Sequence, residues 1–293
     1  MTDQAERLRE MLQGRQAYTL PRKRRLSRII VIASGKGGVG KTNLVVNLGI
    51  LLGQWGQKVI ILDTDLGMAN VDILLGLKPR FTLVDVIKGK KDLSEIILHG
   101  PANIEIIPGG SGLSEIINLD NHQREQLISR LSYLEEKEHI MLVDCAAGLS
   151  RDVISYIASA DELILVTTPE PTAITDVYSI IKVVSKYRLH SQINLVINMV
   201  HTAGTGEDAY RRLNNACQNF LGIEISLLGC LDYDHKVHQA VLGCSPYILH
   251  FPRSQVAHCT RQVARVLLYD EETTSAGEKK GDGFFKRLFQ LWR

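Results

Sequence analysis

The sequence predicts a doubly wound α/β domain, a mostly parallel sheet with helices on both faces, and three observations carry that prediction. Short apolar runs alternate with longer helical patterns along most of the 293 residues. The first run, Ile29-Ile30-Val31-Ile32, lacks the polar alternation of a half-exposed strand, as expected where both sheet faces are covered. A glycine-rich segment then joins that run to a helical pattern, which is the strand–loop–helix context of a phosphate-binding turn.

In chain order, the candidate strands lie at 28–33, 58–62, 104–107, 139–143, 162–167, 193–197 and 224–228, with helix-like segments between most of them. Strands joined this way run parallel through right-handed crossovers, so one domain from about 27 to 270 follows. A hydrophobic content of 45% is ample for its core. Before it, residues 1–26 hold a short charged helix candidate at 3–13, then Gly14, Pro21 and the basic run Arg22-Lys23-Arg24-Arg25. After it come a polar linker at 271–283 and a short terminal segment at 284–293. The net charge of +2 names no partner. The five cysteines are scattered and form no C-x-x-C, which argues against a disulfide framework or a metal cluster. No stretch of eighteen apolar residues occurs and the first twenty residues carry charge throughout, so a cytoplasmic protein is expected.

The loop reads Gly35-Lys36-Gly37-Gly38-Val39-Gly40-Lys41-Thr42, the G-x-x-x-x-G-K-[ST] pattern, and the next helix opens with Lys41-Thr42-Asn43-Leu44. Glycines let the backbone curl until its N–H groups face phosphate oxygens, and the helix adds its positive N-terminal end. Lys41 is then expected on the β/γ-phosphates and the Thr42 hydroxyl on Mg²⁺, with ATP the nucleotide. An acidic residue at the carboxyl end of an apolar strand beside such a loop can hold Mg²⁺ through water. Asp144 fits that place, with Asp63 as a second water-mediated contact. Asp65, two residues on from Asp63, is expected on the same strand face, near the γ-phosphate, where it can orient the attacking water.

The last ten residues have a different character. Wound as a helix, they group Phe284, Phe285, Leu288, Phe289 and Trp292 on one face, with Leu291 adding to the apolar set, and Lys286, Arg287, Gln290 and Arg293 largely on the other. That composition suits a helix lying in a membrane interface, and two copies in a dimer would add avidity to a weak anchor. The competing reading is a terminal helix docked on the domain. Both hold if the tail docks on the monomer and leaves it in the dimer.

The loop resembles the deviant Walker A class that includes MinD, ParA and the nitrogenase iron protein. The resemblance implies that Lys36 reaches the nucleotide of an opposing subunit, hence a homodimer formed on ATP, and that Asp65 is the catalytic carboxylate of a slow Mg²⁺-dependent ATP hydrolase. It also implies that Asn198 recognises the base. Two departures stand out: Asp144-Cys145-Ala146-Ala147-Gly148 where relatives read D-x-P-A-G, and Asn43 where many have a second Thr or Ser on the phosphates.

At the N-terminus, Asp3-Gln4-Ala5-Glu6-Arg7-Leu8-Arg9 resembles the D-Q-A-x-x-L-R element of the FlhG (FleN/YlxH) family, MinD-like regulators of flagellar number and placement. The resemblance covers nearly the whole chain. It implies a partner-activating helix and basic linker at 1–26, with Asp3, Gln4, Ala5, Leu8 and Arg9 contacting the SRP-type GTPase FlhF. A P-loop ATPase domain follows at 27–270, then a linker and membrane-targeting helix at 271–293. The implied partners are FlhF and the lipids of the cytoplasmic membrane's inner face, with flagellar switch-complex proteins or a flagellar transcriptional activator as further candidates. No direct nucleic-acid contact is expected. A septum-placing MinD or a ParA-type partitioning ATPase is the alternative, and an iron–sulfur carrier lacks suitably placed cysteines.

Overall fold

A computed structural model of the chain describes residues 27–65, 70–109, 121–135, 139–269 and 282–292, with the backbone alone at 121–124. The strands are β1 (Arg28–Ser34), β2 (Val59–Asp63), β3 (Leu98–His99), β4 (Glu105–Pro108), β5 (Ile140–Ala147), β6 (Glu162–Thr167), β7 (Asn194–Val200) and β8 (Ser226–Asp232). They form one sheet in the order β3-β4-β2-β5-β1-β6-β7-β8. Every pairing is parallel except β3 with β4.

All seven sequence-predicted strands are present, several displaced toward their carboxyl ends: the run at 224–228 is centred later, at Ser226–Asp232, and β5 continues through Ala147. The unpredicted β3 has only two residues, too few for any periodicity to register. It pairs back on β4 across a turn in which Ala102 and Asn103 adopt positive φ.

Twelve α-helices are described: α1 (Lys41–Gln54), α2 (Val71–Leu74), α3 (Leu83–Ile87), α4 (Leu93–Ile96), α5 (Asn121–Glu135), α6 (Arg151–Ser159), α7 (Pro171–Lys186), α8 (Thr205–Leu221), α9 (His235–Leu242), α10 (Tyr247–His250), α11 (Gln255–Tyr269) and α12 (Phe284–Leu291). Strand alternation divides the interior in two. Ile29, Val31 and Ala33 of β1 face one core, shared with α5, α6, α7, α8 and α12, while Ile30 and Ile32 face a second, shared with α1 and α11. In the second core α1 lies close against the sheet because Gly49 has no side chain; a Cβ there would stand 2.9 Å from Ile61 Cδ1.

β1 is central, with β5 on one side and β6 on the other. The chain leaves it first toward β2 and later returns to build β6–β8. A crevice therefore opens at the carboxyl ends of β1 and β5, the place where open α/β sheets bind ligands.

The terminal segment is part of the first core rather than an appendage whose apolar stripe faces outward. Phe284, Phe285, Leu288, Phe289, Leu291 and Trp292 are all buried against α5 and α6. Arg287, assigned above to the polar face, is on the inner side: its guanidinium donates to the Ser159 carbonyl and approaches Asp161 Oδ1 at 3.4 Å. Ten residues of sequence show an amphipathic stripe but not what the stripe meets. The residues expected on FlhF, at 3–9, and residues 271–281 of the linker lie outside the described residues.

Candidate functional site

β1 ends against the glycine loop, and three of its glycines are needed there, for two different reasons. A Cβ on Gly35 would meet the Asp176 backbone of α7 at 2.4 Å, so the loop can pass this close only without a side chain. Gly38 and Gly40 take left-handed backbone, φ 80° and 84°, which curls the loop back over the start of α1. Gly37 and Gly38 have nothing within 4 Å of a built Cβ, so they face open space. The loop is braced from two sides. Gly148 N–H donates to Ser34 O at 2.8 Å, and the Asn198 side-chain amide donates to Val39 O at 2.8 Å.

Lys41 and Asp144 meet in the crevice. Lys41 Nζ lies 2.5 Å from Asp144 Oδ1, and both side chains are buried. Burial raises the Asp144 pKa, with the Lys41 charge and the Thr42 hydroxyl pulling it down and the Asp65 charge adding to the rise. Lys41 thus meets Asp144 directly, and Thr42 and Asp65 lie near enough to bear on the same carboxylate. Asp144 lies inside β5 rather than at its end, opposite Asp63 of β2.

Asp63 has a larger part than expected. Its Oδ1 accepts the Asp65 N–H at 3.0 Å, and its Oδ2 accepts the N–H groups of Asn70 and Val71 at 3.2 and 3.3 Å. One carboxylate therefore clamps both ends of the loop between β2 and α2. Burial and the neighbouring Asp144 charge raise its pKa to about 6 against the pull of those three donors. Asp65 is placed by this clamp and not by strand alternation, since β2 stops at Asp63. Asn198 differs too: its amide is engaged by the loop and its Oδ1 by the Met199 N–H, so its observed work is bracing the P-loop.

Lys36 leaves the loop on its open side. Its Nζ lies 3.2 Å from Glu170 Oε2 and 3.4 Å from Thr172 Oγ1, at the start of α7. Sequence reasoning missed this pair, whose members are 134 positions apart.

This arrangement can be set against known proteins. The family model described as an AAA domain, AAA_31, matches residues 27–197. The antiactivator FleN of Pseudomonas aeruginosa is 37% identical over 237 residues, 81% of this chain and 85% of its own length. The flagellum site-determining protein YlxH of Helicobacter pylori is 30% identical over 294 residues, 99% of each chain. The chain belongs to the FlhG (FleN/YlxH) family of MinD-like P-loop ATPases. Among solved structures, MinD of Pyrococcus horikoshii complexed with Mg-ADP superimposes with a TM-score of 0.67 at 30% identity, covering 87% of this chain and 100% of that one.

As a member of this family the chain is an ATP hydrolase that uses ATP and Mg²⁺, and its own atoms fit them. Asp144 Oδ2 is buried with no hydrogen-bond partner among the described residues, an oxygen left over for a hard cation or its water. The Thr42 hydroxyl, near enough to the same carboxylate to lower its pKa, adds a second oxygen. The open side of Gly37 and Gly38 leaves room for phosphates against the loop's N–H groups.

The terminal helix α12 packs close to this site. Tyr156 of α6 lies near Thr64, in the loop that Asp63 clamps: burial raises the pKa of its hydroxyl, and the Thr64 side chain lowers it. Its ring stacks on Phe284 at 6.5 Å and meets Trp292 edge-on at 5.6 Å. The two ends of α12 are also held: Glu135 accepts the N–H groups of Phe284 and Phe285 at 2.9 and 3.0 Å, and Arg151 donates to Leu291 O at 3.2 Å. None of these partners has a local sequence signal. Among the described residues, no helix is long and apolar enough to cross a membrane.

Proposed function

We propose that this ATPase is a nucleotide-controlled dimer that sets flagellar number and placement, working at the inner face of the cytoplasmic membrane and through FlhF. Its names-in-kind support the flagellar role: FleN is an antiactivator and YlxH a flagellum site-determining protein. The single observation that carries the switch is Tyr156, whose ring packs on the tail at Phe284 and Trp292 while its hydroxyl lies near Thr64 of the nucleotide loop. A loop that rearranges on nucleotide therefore disturbs the surface on which the tail rests.

In this reading, the N–H groups of residues 37–42 and the Lys41 ammonium bind the phosphates, and Asn43 borders them. Thr42 and Asp144 hold the metal, with Asp63 contacting it through water; Mg²⁺ held there supplies positive charge against the phosphate oxygens. Asp65 orients the attacking water, and Lys36 exchanges Glu170 for the nucleotide of a second copy. Asn198 borders the base while bracing the loop. The tail, docked in one state, is released to lipid in the dimer through Phe284, Phe285, Leu288, Phe289, Leu291 and Trp292. Asp3, Gln4, Ala5, Leu8 and Arg9 contact FlhF.

Two measurements test the reading. A peptide of residues 1–20 is expected to stimulate GTP turnover by FlhF; no stimulation reduces the chain to a generic MinD-like ATPase. Removing residues 284–293 is expected to abolish ATP-dependent vesicle binding while fluorescent-ATP binding survives. Undiminished vesicle binding by that variant ends the membrane role.

A further inference from the structure

At the amino ends of β2, β4 and β5, the edge of the sheet opposite the P-loop, lies a cleft of about 500 Å³ that the nucleotide chemistry does not use. Its walls are the chain just after α1, the turn between β3 and β4, and the first residues of the three strands. A space of this size takes a metabolite-sized molecule.

The backbone around the cleft is held in a costly form. Ala102 and Asn103, both in its wall, are successive non-glycine residues in left-handed backbone, at φ 55° and 58°. The last turn of α1 presses against them, since a Cβ on Gly53 would stand 2.6 Å from the Ala102 carbonyl oxygen. A turn strained in this way, beside a cleft, is where binding sites tend to be built.

The polar groups say what kind of molecule fits. Glu105 lines the cleft, and its Oε2 is buried with no hydrogen-bond partner among the described residues. A carboxylate oxygen taken out of water without a donor is destabilising, and a ligand N–H relieves it. Lys58 lines the same cleft from its exposed side, and no ion pair joins it to Glu105 among the described residues. The register places the two on one face of the sheet: Ile60 pairs with Glu105, and Lys58 lies two residues before Ile60. A two-residue step along one strand and one strand spacing across put their Cα atoms about 8 Å apart. A negative group and a positive group thus face one space at a separation that a small molecule spans.

We infer that this cleft binds a small zwitterion of the α-amino acid class, with the ligand ammonium on Glu105 and the ligand carboxylate on Lys58. A purely anionic ligand would meet the Glu105 charge, and a purely cationic one would meet the Lys58 charge. The 14 residues of α1 separate the cleft from Lys41 and Thr42 by about 21 Å, so the zwitterion and ATP bind together without competing.

The test uses the full chain saturated with Mg-ATP and each common L-amino acid in turn, at millimolar concentration, first by thermal unfolding and then by calorimetry. At least one amino acid is expected to raise the unfolding midpoint and to titrate as one site. Its affinity is expected to fall at least about tenfold in Glu105→Gln and in Lys58→Gln, the loss of one charged hydrogen bond, and to persist in Lys58→Arg. Both weakened variants are expected to bind fluorescent ATP as wild type does, which shows that they are folded. The inference is overturned if no amino acid binds, or if the affinity is unchanged in both Gln variants. Displacement of the amino acid by ATP places it in the nucleotide site instead and overturns the inference as well. Methylamine or acetate alone binding as tightly as the amino acid rejects the zwitterion.

Discussion

Asp63 does two jobs that oppose each other. Its carboxylate is buried beside Asp144 yet clamps three backbone N–H groups, and its pKa stands at about 6, above the ordinary 3.8. The folded protein thus keeps a proton that the unfolded chain releases. Asp63's contribution to stability is fully present below about pH 4 and is lost as pH rises through about 6, a change of about 3 kcal/mol at most. Urea unfolding without nucleotide should show wild type losing stability relative to Asp63→Asn across that window; a flat difference would contradict the burial argument. The Lys41–Asp144 pair makes a second claim at this scale. Removing one member leaves the other charged and buried, so Lys41→Met and Asp144→Asn are each expected to cost about 3 kcal/mol, whereas the double variant recovers most of that. Fluorescent-ATP titration separates stability from function, because the double variant should still bind nucleotide at least about a hundredfold more weakly.

Among the elements, α12 shows how an amphipathic stripe acquires its meaning from its surroundings. Fully burying side chains such as Phe284, Phe289 and Leu288 contributes roughly 1.5–3 kcal/mol each, well above what a solvated ten-residue helix offers on its own. The fit at the helix start is close: a Cβ on Gly283 would lie 2.4 Å from Glu135 Oε2. Gly283→Val is therefore expected to push the cap apart and speed amide exchange over 284–291 by about tenfold or more, on the scale of one lost helix cap. Lys286→Ala, at an exposed position paired with Asp282, serves as the silent control. Equal exchange in both variants would show that the Glu135 cap does not hold the tail.

At the scale of the whole molecule, the proposed dimer rests on the open face of the P-loop and its lysine. The Lys36–Glu170 pair is exposed on both sides and is worth less than about 1 kcal/mol, so a phosphate group from another subunit can displace it. Lys36→Ala is expected to bind ATP and remain monomeric in sedimentation, while Asp65→Ala holds ATP and accumulates as dimer. A dimeric Lys36→Ala or a monomeric Asp65→Ala protein would contradict the assigned roles.

The sequence by itself determined the sheet, the loop and its metal-binding chemistry, because those are written in local patterns: unbroken Ile and Val runs for strands covered on both faces, and glycine spacing for a backbone that curls around phosphate. The run at 28–33 and the residues Gly35, Lys41, Thr42 and Asp144 were legible for that reason. Tertiary structure alone decided which groups meet across long separations. Asp65 owes its position to the Asp63 clamp, Asn198 is spent on Val39, Lys36 is held by Glu170, and Arg287 turns inward to Ser159 and Asp161. The tail is the clearest case. Its ten residues encode an apolar face, but only the packing of α5 and α6 shows that the face is covered, and that Tyr156, packed on it, lies near the nucleotide loop.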